Sequence, residues 1–304
     1  MARVMLLAMR NLVRIVLPLV LVAFLIPSIR AQPATSIAWT PDILFTGSPC
    51  LFRVNSPSLT GVTGTWQGHE LSFFQEPKDP DSWYSLAGVD VGAKSGSYEL
   101  TIELIQQSGT KTIRRTIDVA PAPYKEIPLT VPQKFVEPSE QEQKIIVADQ
   151  QVKRRIFARS ANSPLWTGSF SPPLKSAPRT DSFGTRRIFN GSLVSVHRGL
   201  DYRAKVGTPV RAANSARVLL ARPLFYEGNC VILDHGLGLM TIYMHLSEFK
   251  VREGELVRRG QMIALSGETG RATGPHLHLS VRWQGEYLDP AKLFSLNVPR
   301  PVQP

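Results

Sequence analysis

Five of the chain's six histidines fall after residue 196, and three short segments bring four of them together with one aspartate. The first segment is His197-Arg198-Gly199-Leu200-Asp201, the second Tyr243-Met244-His245, the third His276-Leu277-His278. Imidazole nitrogens and a carboxylate oxygen are zinc donors. A catalytic zinc site uses three protein ligands and keeps its fourth position for water. Four histidines and one aspartate exceed three ligands, so some of them have another task. Zinc brings the pKa of bound water to about 7, and a nearby imidazole can take the proton or stabilise charge on an attacked carbonyl. The chain has no His-Glu-x-x-His motif, so histidine must fill the role of base in any hydrolase reading.

Strands are the elements that make these spacings useful. Side chains alternate across a strand, so His276 and His278 leave one strand on the same face. His197 and Asp201 do likewise if their backbone is near extended. From Asp181 to about Leu296 the pattern is short strands and turns, an antiparallel β domain of its own. Residues 206–211 and 216–220 read as a strand pair. Residues 231–233 and 240–245 read as a hairpin around Gly236-Leu237-Gly238. Tyr243 shares parity with His245, so it is assigned either to the cleft or to packing. Leu277 is expected to face the core. His235 reads as structural.

Upstream the chain is also β. Tyr98, Leu100, Ile102 and Leu104 alternate with Glu99, Thr101 and Glu103, a half-buried strand. Ser108-Gly109 turns it toward a partner at 112–119. Short strands at 49–54, 62–66 and 71–75, with a Gln67-Gly68 turn, complete an immunoglobulin-like sandwich over residues 36–121. Residues 122–180 read as a Pro-rich linker. Ser139 and Glu142 form a capping box that opens a helix over about 139–159, and residues 160–180 read as an extended loop. Cys50 and Cys230 lie in different domains and read as two buried thiols.

The 304 residues carry 35 Lys+Arg against 24 Asp+Glu, a net charge of +11. Residues 1–31 contain four arginines and no acid, then an apolar run from Ile15 to Ile26 that is short for a membrane span. This is the pattern of a secretory signal, with an uncleaved anchor as the alternative. Its removal leaves +7. Export to the periplasm or cell envelope makes the anionic partner an envelope polymer rather than nucleic acid.

The segment from Ser182-Phe183-Gly184, through the His197 and Asp201 motif, Gly207-Thr208-Pro209-Val210, Asp234-His235-Gly236, Tyr243-Met244-His245-Leu246 and Gly260-Gln261 to Gly274-Pro275-His276-Leu277-His278, resembles the lysostaphin-like (LytM-type) zinc metallopeptidases. Arg186 belongs to the same resemblance. The peptidase domain is expected over residues 181–298, with a tail at 299–304. The resemblance implies one Zn2+ per domain held by His197, Asp201 and His278. It implies His276 as general base and His245 as oxyanion stabiliser or proton shuttle, with the two roles exchangeable. It implies a secreted endopeptidase that cuts peptide cross-links of peptidoglycan; the sequence itself does not fix the oligomeric state, and a monomer is expected. The alternative is a non-catalytic LytM-type protein that binds cell wall or activates other hydrolases. A lipoyl-carrier-like hairpin at 251–265 is disfavoured because no lysine stands at its tip.

Overall fold

The computed structural model describes residues 35–176, 178–191 and 193–302, and the expected signal segment lies outside them. Nine strands come first: β1 (Ser36–Thr40), β2 (Leu44–Phe45), β3 (Pro49–Asn55), β4 (Gly61–Trp66), β5 (His69–Ser72), β6 (Phe74–Glu76), β7 (Asp79–Gly88), β8 (Gly96–Gln106) and β9 (Gly109–Ala120). They form two sheets, ordered β1-β3-β7-β6 and β2-β9-β8-β4-β5. The alternation in β8 works as expected: Leu100, Ile102 and Leu104 are buried with Phe52 and Trp66 between the sheets. The Trp66 indole N–H reaches the buried carbonyl of Gly88 at 2.9 Å, which satisfies the one polar atom of that ring. The strand expected at 71–75 is instead two strands. β5 pairs with β4 in one sheet, and β6 pairs with β7 in the other, so the chain changes sheets at Phe73.

The expected linker is packed and contributes a strand. β10 (Glu126–Leu129) runs parallel to β12 (Arg186–Phe189), which pairs antiparallel with β13 (Leu193–Val196). Val131 and Phe135 join Phe189 in a small core beneath this sheet. α1 (Glu140–Phe157) opens on the capping box: Glu142 N–H donates to Ser139 Oγ, and Ser139 N–H donates to Glu142 Oε2. Only its C-terminal end packs, through Val152, Ile156 and Phe157 against Leu220, Ile232 and Ile242. Ile145, in its second turn, is exposed. Residues 160–176 have no regular element, yet Trp166 and Phe170 anchor them in the core.

The second β unit comprises β11 (Arg179–Asp181), β14 (Leu200–Arg203), β15 (Pro209–Arg211), β16 (Ala216–Leu224), β17 (Gly228–Gly236), β18 (Leu239–Phe249), β19 (Leu256–Val257), β20 (Met262–Ser266), β21 (His276–Trp283) and β22 (Glu286–Leu288). Their main order is β11-β14-β21-β18-β17-β16-β19, with β20 joining β15 to β18 and β22 on β21. β17 and β18 are the expected hairpin. The expected pairing of 206–211 with 216–220 does not occur: β15 pairs with β20, and β16 with β17 and β19. Two apolar neighbours along the chain were not enough to choose a partner, because β20 offers β15 a buried face through Ile263 and Ala264. α2 (Pro290–Ser295), capped by Asp289, closes the domain.

The sandwich and this unit share a core. Trp283, Leu288 and Leu293 lie in the same apolar cluster as Trp66 and Phe52. His69 packs edge-on against Trp283 with ring centroids 5.2 Å apart, and its Nε2 meets Glu286 Oε1 at 2.9 Å. A Cβ on Gly88 would lie 2.3 Å from Leu288, so the contact is made at glycine. Cys50 and Cys230 are both buried free thiols, and burial raises the pKa of each. No helix among the described residues is long and apolar enough to cross a membrane.

Candidate metal centre and its cleft

The register of two central strands builds the site. β14 and β21 pair antiparallel with Asp201 directly opposite His278 and Arg203 opposite His276. Facing residues on paired strands project to the same side, so the carboxylate and the His278 ring meet. Asp201 Oδ1 lies 2.8 Å from His278 Nδ1 and 3.1 Å from His197 Nε2, and the two nitrogens are 3.0 Å apart. One ligand atom from each of His197, Asp201 and His278 lies within 4.8 Å of the others, and all three residues are buried.

His197 arrives differently from the expectation. It does not share a strand with Asp201: it follows β13, and the chain turns through Arg198 and Gly199 before β14 begins. Gly199 makes that turn possible. A Cβ there would lie 2.4 Å from the Leu279 carbonyl oxygen and 2.5 Å from His278 Nε2. The i, i+4 spacing therefore works through a close passage over β21, not through an extended strand.

The outer nitrogen of each ligand histidine fixes its tautomer. His197 Nδ1 sits 2.9 Å from the Ser182 carbonyl, so it donates and leaves a lone pair on Nε2. His278 Nε2 lies 2.9 Å from Ser280 Oγ; when Nε2 donates to that hydroxyl, the Nδ1 lone pair faces Asp201. With both rings neutral, two nitrogen lone pairs and a carboxylate oxygen converge on one point. That is repulsive unless a cation lies among them. Tetrahedral bonds of 2.0–2.1 Å would put such donors about 3.3 Å apart. The spacings of 2.8–3.1 Å are close to that, so the donor set fits zinc.

Burial raises the Asp201 pKa, but the His197 and His278 rings beside it outweigh this and hold the carboxyl well below its usual range. Burial pushes His278 down to about 4, so it is neutral near pH 7 as a ligand must be. Arg187 of β12 forms an ion pair with the second carboxylate oxygen, Asp201 Oδ2. The residue singled out in sequence, Arg186, points elsewhere, 3.5 Å from Glu126 at the surface. The Ser280 contact was detectable in principle, since Ser280 is two residues after His278 and shares its face.

His245 and His276 stand beside this set with ring centroids 4.6 Å apart. His276 Nδ1 donates to the Gly274 carbonyl at 2.7 Å and His245 Nδ1 to the Thr269 carbonyl at 2.8 Å. With Nδ1 donating, each ring turns its Nε2 away from that carbonyl. His276 Nε2 lies 3.8 Å from Asp201 Oδ1. Burial, with the like charges of His276 and His278, pushes His245 down to about 3. His245 has φ of +61°, a left-handed conformation a side-chain-bearing residue rarely adopts. The ladder is irregular there on both sides of β18. This kink breaks the period of two, so Tyr243 does not follow His245 into the cleft. It is fully buried, and its hydroxyl joins Ala213 N–H and Thr241. His235 is buried between the Ser215 carbonyl and Thr241 Oγ1, away from the metal set. Leu277 is in the core.

The five residues line a cleft of about 940 Å³. Its lining includes Leu129, Phe189 and Val196 of the β10–β12–β13 sheet, together with Tyr226, Glu227 and Arg271. Lys153 of α1 reaches this rim and pairs with Glu227.

Residues 195–290 match Peptidase family M23. That stretch holds His197, Asp201, His245, His276 and His278, whereas Arg187 and most of the β10–β12–β13 sheet lie upstream of it. Peptidoglycan DD-endopeptidase ShyA of Vibrio cholerae is 42% identical over 106 residues, which is 35% of this chain and 24% of that protein. DD-carboxypeptidase/endopeptidase Mpg of Neisseria meningitidis is also 42% identical over 106 residues, with the same coverage of each chain. The chain thus matches about a quarter of the length of these curated relatives. A crystal structure of a peptidase M23 from Pseudomonas aeruginosa shares the fold over 82% of this chain and 94% of that one, with a TM-score of 0.63 at 23% identity. Through residues 195–290, this chain carries a LytM-type domain of peptidase family M23.

Proposed function

We propose that the protein is an exported zinc metalloendopeptidase that hydrolyses peptide cross-links of bacterial peptidoglycan. The carrying observation is the convergence of His197, Asp201 and His278 beside two further histidines held through Nδ1, on the floor of one open cleft. His197 Nε2, Asp201 Oδ1 and His278 Nδ1 would hold the metal. A bound zinc supplies Lewis acidity toward a carbonyl oxygen and makes water nucleophilic at neutral pH.

The remaining residues bind, orient and move protons. Ser182 O and Ser280 Oγ orient the two ligand rings, and Arg187 holds the outer oxygen of Asp201, leaving Oδ1 for the metal. His276 is assigned the proton from the attacking water, since its Nε2 borders Asp201 Oδ1 and its Nδ1–H is fixed on Gly274. His245 also presents a lone pair, which suits a proton shuttle better than an oxyanion donor. The leaving amine takes the proton back. The relatives named for peptidoglycan endopeptidase activity support the substrate class. The basic, apolar-cored segment at 1–31 supports export.

The test is digestion of isolated muropeptides of known cross-link by mature protein with zinc, with product masses read out. Cleavage of a cross-link peptide bond that stops with a chelator and returns with zinc is expected. Intact muropeptides in every cross-link class would overturn the proposal.

A further inference from the structure

Arg271 has no role in the proposed chemistry, yet aromatic rings hold it on the cleft lining. Its Cζ lies 4.8 Å from the centre of the Phe189 ring and 4.6 Å from that of Tyr226. Phe189 belongs to β12 and Tyr226 to the β16–β17 turn, and both rings belong to the small apolar cluster around Phe135, so the guanidinium rests against two rings of one patch. Its backbone N–H is tied to the Tyr226 carbonyl at 2.8 Å. Among the described residues, its guanidinium has no hydrogen-bond acceptor and no acid within ion-pair distance. The acid that acts on it through space, Glu227, is paired with Lys153. Burial lowers its pKa, and Tyr226 and Glu227 offset this only in part.

The surrounding charge has the same sign. The described residues lining the cleft include Lys153, Arg187, Arg198, Arg203 and Arg271 against Asp201 and Glu227. Both acids are already engaged, by Arg187 and Lys153. A stacked guanidinium keeps its N–H edge for a ligand, and that edge matches the two oxygens of a carboxylate. The rings also freeze a side chain that would otherwise lose rotamer freedom on binding. Arg271 lies on the loop that runs from Thr269, which holds His245, to His276. Arg271 and the metal set line the same cleft, so a group bound there shares the cleft with the reacting bond.

We infer that Arg271, held against Phe189 and Tyr226, is the carboxylate-recognition subsite of the cleft, so that the substrate is a peptide with a free carboxylate near the scissile bond. This rests on the peptidase reading for the identity of the ligand as a peptide, but its binding test does not require turnover. The probes are the stem tetrapeptide L-Ala–D-isoGlu–diaminopimelate–D-Ala and the same peptide with its carboxylates amidated. Calorimetric Kd values are measured on zinc-loaded wild type and R271Q. The acid form is expected to bind wild type about 10-fold or more tightly than the amide, the scale of a charge-assisted pair. In R271Q, with zinc content unchanged, the ratio is expected to fall to about two or less. Equal affinities in wild type, binding of neither form, or an undiminished ratio in R271Q would each overturn the inference. Cross-linked muropeptides are incubated with wild type in parallel. A preserved acid preference without cleavage rejects the peptidase reading and leaves the subsite standing.

Discussion

Asp201 and His278 stand directly opposite each other on antiparallel strands, and their side chains meet at 2.8 Å. A pair set by strand register cannot drift apart without breaking the sheet, so the metal set is held by backbone hydrogen bonds. His197 completes it at 3.0 Å from His278. Purified protein is therefore expected to hold about one zinc per chain. His278→Ala is expected to lose it, while the β fold persists by circular dichroism. Equal zinc content by mass spectrometry in the variant and the wild type would reject the assignment.

His276 is expected to separate chemistry from metal binding. His276→Ala removes the proton acceptor but none of the three donors, so zinc stays near one equivalent while kcat falls by about 10²–10⁴. A loss of zinc parallel to the loss of rate would instead make His276 a ligand. The pair of measurements, stoichiometry and single-turnover rate on a muropeptide, distinguishes the two.

The His-x-His spacing was legible because a strand fixes parity, and the strand exists: β21 runs from His276 to Trp283. The alternation of Leu100, Ile102 and Leu104 was legible for the same reason. What the sequence did not reveal is set by tertiary approach. Gly199 lets His197 pass over His278, and no local pattern signals that a carbonyl lies 2.4 Å from a missing Cβ. The left-handed backbone at His245 defeats the parity that linked it to Tyr243. Arg187 and Arg271 gain meaning only from Asp201, Phe189 and Tyr226, up to 82 positions away in sequence. The strand β10 was hidden in a Pro-rich stretch because its pairing partner, β12, lies across α1.

His235 carries a pH dependence independent of the metal. It is fully buried, and burial pushes its pKa from about 6.5 down to about 4. The unfolded chain takes up a proton near pH 6.5, and the folded protein does not until about pH 4. Stability from this group is therefore complete above pH 6.5 and is lost as pH falls toward 4. The loss is roughly 1.4 kcal/mol per pH unit, about 3 kcal/mol in all. Urea unfolding of wild type and His235→Gln isolates it, because other titrations cancel in the difference. The stability gap between the two is expected to move against wild type below pH 6.5. A gap constant from pH 7 to pH 4.5 would show that His235 is already charged in the fold.

Gly228 is the point where the two loops around His245 touch. Its φ is +63°, and a Cβ would lie 2.4 Å from the Thr269 carbonyl carbon and oxygen. That same oxygen accepts the His245 Nδ1 proton, and Thr269 Oγ1 accepts from Asn229 N–H. Gly228→Ala costs about 1–2 kcal/mol for the left-handed backbone alone. It must also push Thr269 away, which frees the His245 ring. The metal donors lie on β14, β21 and the end of β13, so zinc content is expected to hold. Activity on muropeptides is expected to fall about 10-fold or more, since small displacements of a positioned group are costly. If the variant keeps wild-type kcat/KM with the same zinc, the Thr269 anchor is not what orients His245.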